Sequence, residues 1–207
     1  MRDEPVKKNS KRKVTVVLII ALIITTIGGT IYMGNKFKKQ QELDKEHALY
    51  KHGFRLLEEQ LAIYIKEHYE GVSKIEFSPI YEDGDSMLTV EVVPIIYDNH
   101  GHKAMLGTKI GRDIYTSYGL GDEIDLDFDR GDDSGIIILK DLDTHKEFNL
   151  SGKEHLPKNA KLESNSKLDE NILALVKDNR LKDVKKSDNG SPKAKISYNL
   201  EIKKGTL

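Results

Sequence analysis

Residues 14–34 read "VTVVLIIALIITTIGGTIYMG" and carry no charge, in a chain that is 32% charged over 207 residues. A helix rises about 1.5 Å per residue, so this run extends roughly 31 Å, close to the ~30 Å hydrocarbon core of a bilayer. A helix buried in a soluble core would interrupt the run with polar positions on its outer face. Here the polar side chains are threonines, whose hydroxyls can bond back to the helix, and Tyr32, near one end where an aromatic ring suits the headgroup level. Lys13 and Lys36 bracket the run. The rival is a cleaved secretory signal, whose apolar region spans about 7–15 residues and ends at small residues of A-x-A type. This run is longer, and its small cluster is Gly28, Gly29 and Thr30. The reading is an uncleaved anchor. The chain has no cysteine, which removes disulfides, thiolate metal sites, a cysteine nucleophile and a lipoprotein anchor together.

Orientation follows the flanking Lys/Arg. Arg2, Lys7, Lys8, Lys11, Arg12 and Lys13 precede the run, and Lys36, Lys38, Lys39 and Lys45 follow it. The bias places the N-terminus in the cytoplasm. The expected organisation is a cytoplasmic basic tail (1–13), a transmembrane helix (14–34), a stalk (35–49) and an extracytoplasmic α+β domain (50–207) of a single-pass protein of the cell membrane. Residues 47–207 hold 23 basic and 29 acidic side chains, a net of −6. A mildly acidic outer domain argues against nucleic acid, which demands a basic face.

Beyond the run, residues 36–69 read as helix. Tyr50, Phe54, Leu57, Leu61, Tyr64, Ile65 and His68 recur at spacings of three and four, one stripe of a docked helix, whereas residues 35–49 are polar nearly all round. Gly53 marks a soft point between the two halves, and Gly71 a stop. From Val72 the period changes to two. "SKIEFSPI", "MLTVEVVPIIY", "KAMLGTKI", "RDIYTSYGL", "EIDLDFD", "IIILKDL" and "HKEFNL" are short runs separated by Gly, Asp and Asn, which predicts an antiparallel meander, with Pro94 at an edge or bulge. Residues 151–167 read as loop, "LDENILALVKDN" as a short helix, and "KKSDNGSPKAK" as a second loop. Ile196, Tyr198, Leu200 and Ile202 alternate with polar residues as a final strand paired inside a sheet. The expected fold is α+β, one helix packed on a mostly antiparallel β-meander, an arrangement analogous to cystatin-like folds.

"YIKEHYEGVSKIEFSPI", "VVPIIYDNHGHKAMLG", "YTSYGL" and "GSPKAKISYNLEIKKG" resemble small single-span membrane proteins of streptococci and related Gram-positive bacteria, over most of residues 60–205. The resemblance implies the single-span topology and a Gram-positive surface setting. It carries over no catalytic residue.

Two constellations carry chemistry. Asp125, Asp127 and Asp129 share one face of an expected strand, with Asp132 and Asp133 in the adjoining turn. Clustered carboxylates suit calcium, which takes six to eight oxygens, but Arg130 stands where a calcium loop needs glycine and Ile136 where it needs a bidentate acid. The competing reading is a solvated strand face whose acids discourage edge pairing. Arg130-Gly131-Asp132, a tripeptide found in integrin ligands, reads as a plain turn. In "DNHGH", His100, His102 and an acid can bind zinc or nickel, while Asn99, His100 and Gly101 are also ordinary hairpin-turn residues. His68, on the apolar stripe, reads as a partnered boundary histidine. "GTKIGRD" is not a phosphate loop, "GLGDEI" lacks the third glycine of a dinucleotide turn, and neither G-x-S-x-G nor H-E-x-x-H occurs.

The expectation is a membrane-tethered binding module, with no resident cofactor, for a surface protein, peptide or wall component. The alternatives are a calcium- or zinc-dependent site or enzyme on the Asp- and His-rich turns, and an immunity-type protein that protects its own cell.

Overall fold

A computed structural model describes residues 8–82, 90–107, 109–110, 112–113, 117–119, 124–129, 135–141 and 143–206, the side chains of 8–34 and 124–129 excepted. Two compact units divide the chain, Met1–Glu46 and His47–Leu207. Among the described residues no helix is long and apolar enough to cross a membrane. The expected span at 14–34 lies outside the residues whose side chains are described, as does the Arg130-Gly131-Asp132 turn in its entirety.

Helix α1 spans Lys8–His68. It runs unbroken through Gly53. In the second unit the predicted stripe is buried: Tyr50, Phe54, Leu57, Leu61, Tyr64 and Ile65 are each at most 2% exposed. Leu56, Glu58, Gln60 and Ala62 are buried too, so this stretch is enclosed nearly all round rather than docked by one face. The carbonyls at its C-terminus, which no further turn can satisfy, are met from the far end of the chain. Ser191 N–H donates to the Lys66 carbonyl (2.7 Å) and Ser187 N–H to that of His68 (2.8 Å). A Cβ on Gly190 would lie 2.4 Å from the Lys66 oxygen, so glycine is required for that approach. Gly71 follows the helix at φ +88°, with the Asp183 carbonyl 2.1 Å from where a Cβ would stand.

Strand β1 (Tyr69–Glu70) pairs antiparallel with β11 (Lys185–Lys186), a short strand inside an expected loop. A four-stranded sheet has the order β12-β2-β5-β6, built from β12 (Lys195–Ser197), β2 (Val72–Phe77), β5 (Pro94–Asp98) and β6 (Lys103–Met105). A seven-stranded sheet contains β3 (Ile80–Glu82), β4 (Val90–Val92), β7 (Tyr118–Gly119), β8 (Ile124–Asp129), β9 (Ile136–Asp141), β10 (Lys146–Asn149) and β13 (Ile202–Lys204), in the order β10-β9-β8-β7-β4-β3-β13.

Three chain segments cross from one sheet to the other at the same level. β2 passes into β3 at Ser78-Pro79, β4 into β5 at Val93, and β12 into β13 over residues 198–201. Proline cannot donate to a ladder, and the Ser78 hydroxyl fills in by accepting from Val93 N–H (3.1 Å) while Ser78 N–H donates to the Val93 carbonyl (3.0 Å). Pro94 opens β5 at this corner; β5 lies between β2 and β6, so the proline stands at the first residue of an inner strand rather than at the expected edge or bulge. Most pairings are antiparallel, but β12 with β2, β13 with β3 and β7 with β8 are parallel. The clean terminal alternation therefore does not form one strand inside a sheet. It forms two short edge strands, and Tyr198 and Leu200 lie in the corner between them.

Helix α2 (Ser166–Lys177) starts where Asn165, with β-region φ and ψ, accepts the Leu168 N–H at 2.7 Å, a standard N-cap. A 3-10 turn at Lys158–Ala160 interrupts the expected loop before it. Leu168, Ile172 and Leu175 bury one face of α2.

Candidate functional site

The two histidines marked in the sequence sit on the hairpin joining β5 to β6, and a buried carboxylate builds it. The Asp98 side chain is fully enclosed. One oxygen accepts from His100 N–H (2.8 Å) and His102 N–H (2.9 Å), the other from Lys182 N–H (2.7 Å) and lies 2.8 Å from His102 Nδ1. Burial pushes this carboxyl up, and the donors from Lys182, His102 and His100 outweigh it, so that it titrates below the ordinary carboxylate range. His100 Nε2 meets a different acid, Asp183, at 2.7 Å. The ring centroids are 6.3 Å apart and tilted by 44°.

Each imidazole is thus engaged on one nitrogen by its own carboxylate. Asp98 already takes four donors, which leaves it little capacity as a base or a ligand. Among the described residues no group of three or more His, Asp or Glu gathers as a metal would need. Ser73 Oγ reaches the turn but donates to the carbonyls of Asp98 (2.7 Å) and Tyr97 (3.2 Å), not to an imidazole. What the arrangement does is fasten three segments. Asn99 N–H donates to the Gly71 carbonyl at 3.0 Å, Asp98 holds Lys182, and His100 holds Asp183. Asp125, Asp127 and Asp129 stand on β8, paired opposite Lys140, Ile138 and Ile136 of β9. Their side chains lie outside the described residues.

A second junction joins α1 to α2. Tyr64 and Tyr69 hydroxyls both donate to Asp169 Oδ1, at 2.9 and 2.5 Å, and the Lys186 ammonium bonds Asp169 Oδ2. Burial first, then the Asp169 carboxylate, pushes both phenols above their usual range. His68 is partnered as expected, with Nδ1 2.9 Å from the Tyr64 carbonyl and its ring stacked on Tyr64 at 4.4 Å.

Glu58, Asp169 and Asp183 were not singled out by sequence reasoning. For Glu58 a signal existed, a carboxylate within "RLLEEQLAIYI". Asp169 meets Tyr69 across 100 residues and Asp183 meets His100 across 83, and no local pattern announces that. A shallow cleft of about 520 Å³ lies between β10 and the 3-10 turn, lined by Phe148, Leu150, Pro157 and Ala160 with Lys153 and His155. Its polar neighbour Glu59 is occupied by Leu156 N–H (3.3 Å) and Arg55 (3.2 Å).

Comparison with known proteins gave no matching family model, no matching curated protein and no matching solved structure.

Proposed function

We propose that the chain is a single-pass membrane protein that displays a binding module outside the cytoplasm, for a surface protein, peptide or wall component. Residues 1–13 face the cytoplasm, residues 14–34 lie in the bilayer, and the unit His47–Leu207 meets the partner. The observation that carries the reading is the uncharged run at 14–34 set between basic flanks. The chemistry of the second unit agrees with it: the buried carboxylate of Asp98 and the partly exposed one of Asp169 are both consumed in fastening segments together. The finer fold reading, a cystatin-like wrap, is supported by one core helix against strands that bend at a common corner.

The test is protease treatment of intact, wall-stripped cells carrying the full chain with a tag at its C-terminus. Loss of the tag is expected, with residues 1–34 retained in the membrane fraction. A tag that survives on intact cells and disappears only after lysis would overturn the topology.

A further inference from the structure

Register alone fixes an unusual row on the four-stranded sheet. Lys195 lies opposite Lys74, Lys74 opposite Tyr97, and Tyr97 opposite Lys103. Residues directly opposite across a ladder share a face. The next row, Ile196, Ile75, Ile96 and Ala104, points to the core, where Ile75 and Ile96 are fully buried. The lysine row therefore stands on the outer face, with Lys195 and Lys103 exposed and the Lys74 side chain 37% exposed.

The row is organised. The Lys74 and Lys103 ammoniums stand 5.3 and 5.4 Å from the Tyr97 ring centroid, within cation–π range. Glu76 in the following row holds Lys74 and accepts the Tyr97 hydroxyl at 2.5 Å. One acid thus sets the register of the tyrosine, and the face keeps an excess of positive charge in a unit whose net charge is negative.

We propose that this row binds a linear phosphodiester polymer without bases, laid across the strands. This deepens the binding-module reading and rests on it. Four strands about 4.8 Å apart make a row of roughly 14 Å, long enough for two or three phosphate groups. The cations are all lysines, point charges that suit phosphate, where planar carboxylates favour the arginine fork. An extended peptide added to a sheet would run along the strands, not across them. The one aromatic ring is flanked by two ammoniums, which leaves no stacking platform for nucleic acid bases.

The experiment uses the full chain in neutral detergent and a glycerol-phosphate oligomer as probe, followed by calorimetry at several salt concentrations. Binding is expected, with log Kd changing by about 2 per decade of salt, the release from three neutralised phosphates. The pair Lys103→Gln and Lys195→Gln removes exposed side chains only. It should leave the melting temperature unchanged, weaken binding about tenfold or more and lower the salt slope by about 1.4. Control substitutions Lys153→Gln and Lys177→Gln, which remove equal charge elsewhere, should leave binding as it was. Control variants that weaken binding equally would reduce the effect to net charge and overturn the proposal. So would equal binding of polyglutamate, of single-stranded DNA or of anionic lipid vesicles. No binding of the oligomer overturns it too, and the protease result on cells then still decides the display of the module separately.

Discussion

Glu58 offers the sharpest test of how this domain is held. It lies on α1, has no exposed surface, and its Oε2 accepts Asn199 N–H at 3.1 Å. That N–H belongs to the corner between β12 and β13, where no ladder partner receives it. Oε1 has no partner among the described residues. Burial pushes the carboxyl from 4.5 up to about 8, against the opposing pull of the Asn199 N–H and the Arg55 guanidinium. The folded chain then holds a proton that the unfolded chain has released between those two values. Stability therefore falls as pH rises from about 4.5 to about 8 and is flat for this group above that. At 1.36 kcal/mol per unit the ceiling is about 5 kcal/mol, and relaxation of the corner reduces it to about 2–4 kcal/mol. Glu58→Gln keeps an acceptor for Asn199 and cannot ionise. Thermal unfolding of the full chain in neutral detergent, followed by circular dichroism, should show the variant within about 1 kcal/mol of the parent near pH 5. Near pH 9 it should be more stable by about 2–4 kcal/mol. Parallel pH profiles for parent and variant would refute the assignment, because the slope would then belong to another group.

Asp98→Ala removes the buried acceptor of three backbone N–H groups and should lower stability by about 2–4 kcal/mol in urea unfolding, with Asp98→Asn losing less. Its carboxyl is held below the usual range when folded, so its contribution is present above the unfolded carboxylate value and is lost as pH falls through the folded one. The parent should therefore lose stability in acid more steeply than Asp98→Asn. Asp169→Asn removes the anion that Tyr64 and Tyr69 share. Ultraviolet titration of the phenols should move to lower pH, and an unchanged profile would mean that burial alone holds them up.

The sequence was legible where one period ruled. The helical stripe from Tyr50 to Ile65 and the β2 alternation of Ile75 and Phe77 bury as their spacing requires, although the helix is enclosed well beyond that stripe. It was illegible where an element crosses between two environments. The tail from Ile196 to Ile202 alternates without a break, but the neighbouring strand turns at Ser78-Pro79, and the tail has to turn with it. No residue in the tail announces that; the instruction lies in a proline more than a hundred residues earlier. The histidine turn shows the same limit. Asn99, His100 and Gly101 mark a hairpin locally, but the carboxylate that His100 meets, Asp183, lies 83 residues further on and no local pattern announces it. Glu58 was readable as an anomaly, a charge inside an apolar helix, but its meaning depends on Asn199, whose N–H the bend leaves over. Local patterns in this chain specify elements, and the polar residues that break those patterns specify how distant elements join. A carboxylate buried at such a joint is therefore first a fastener, whereas the lysine row on the outer sheet face, where we propose that the polymer binds, is built from side chains left at the surface.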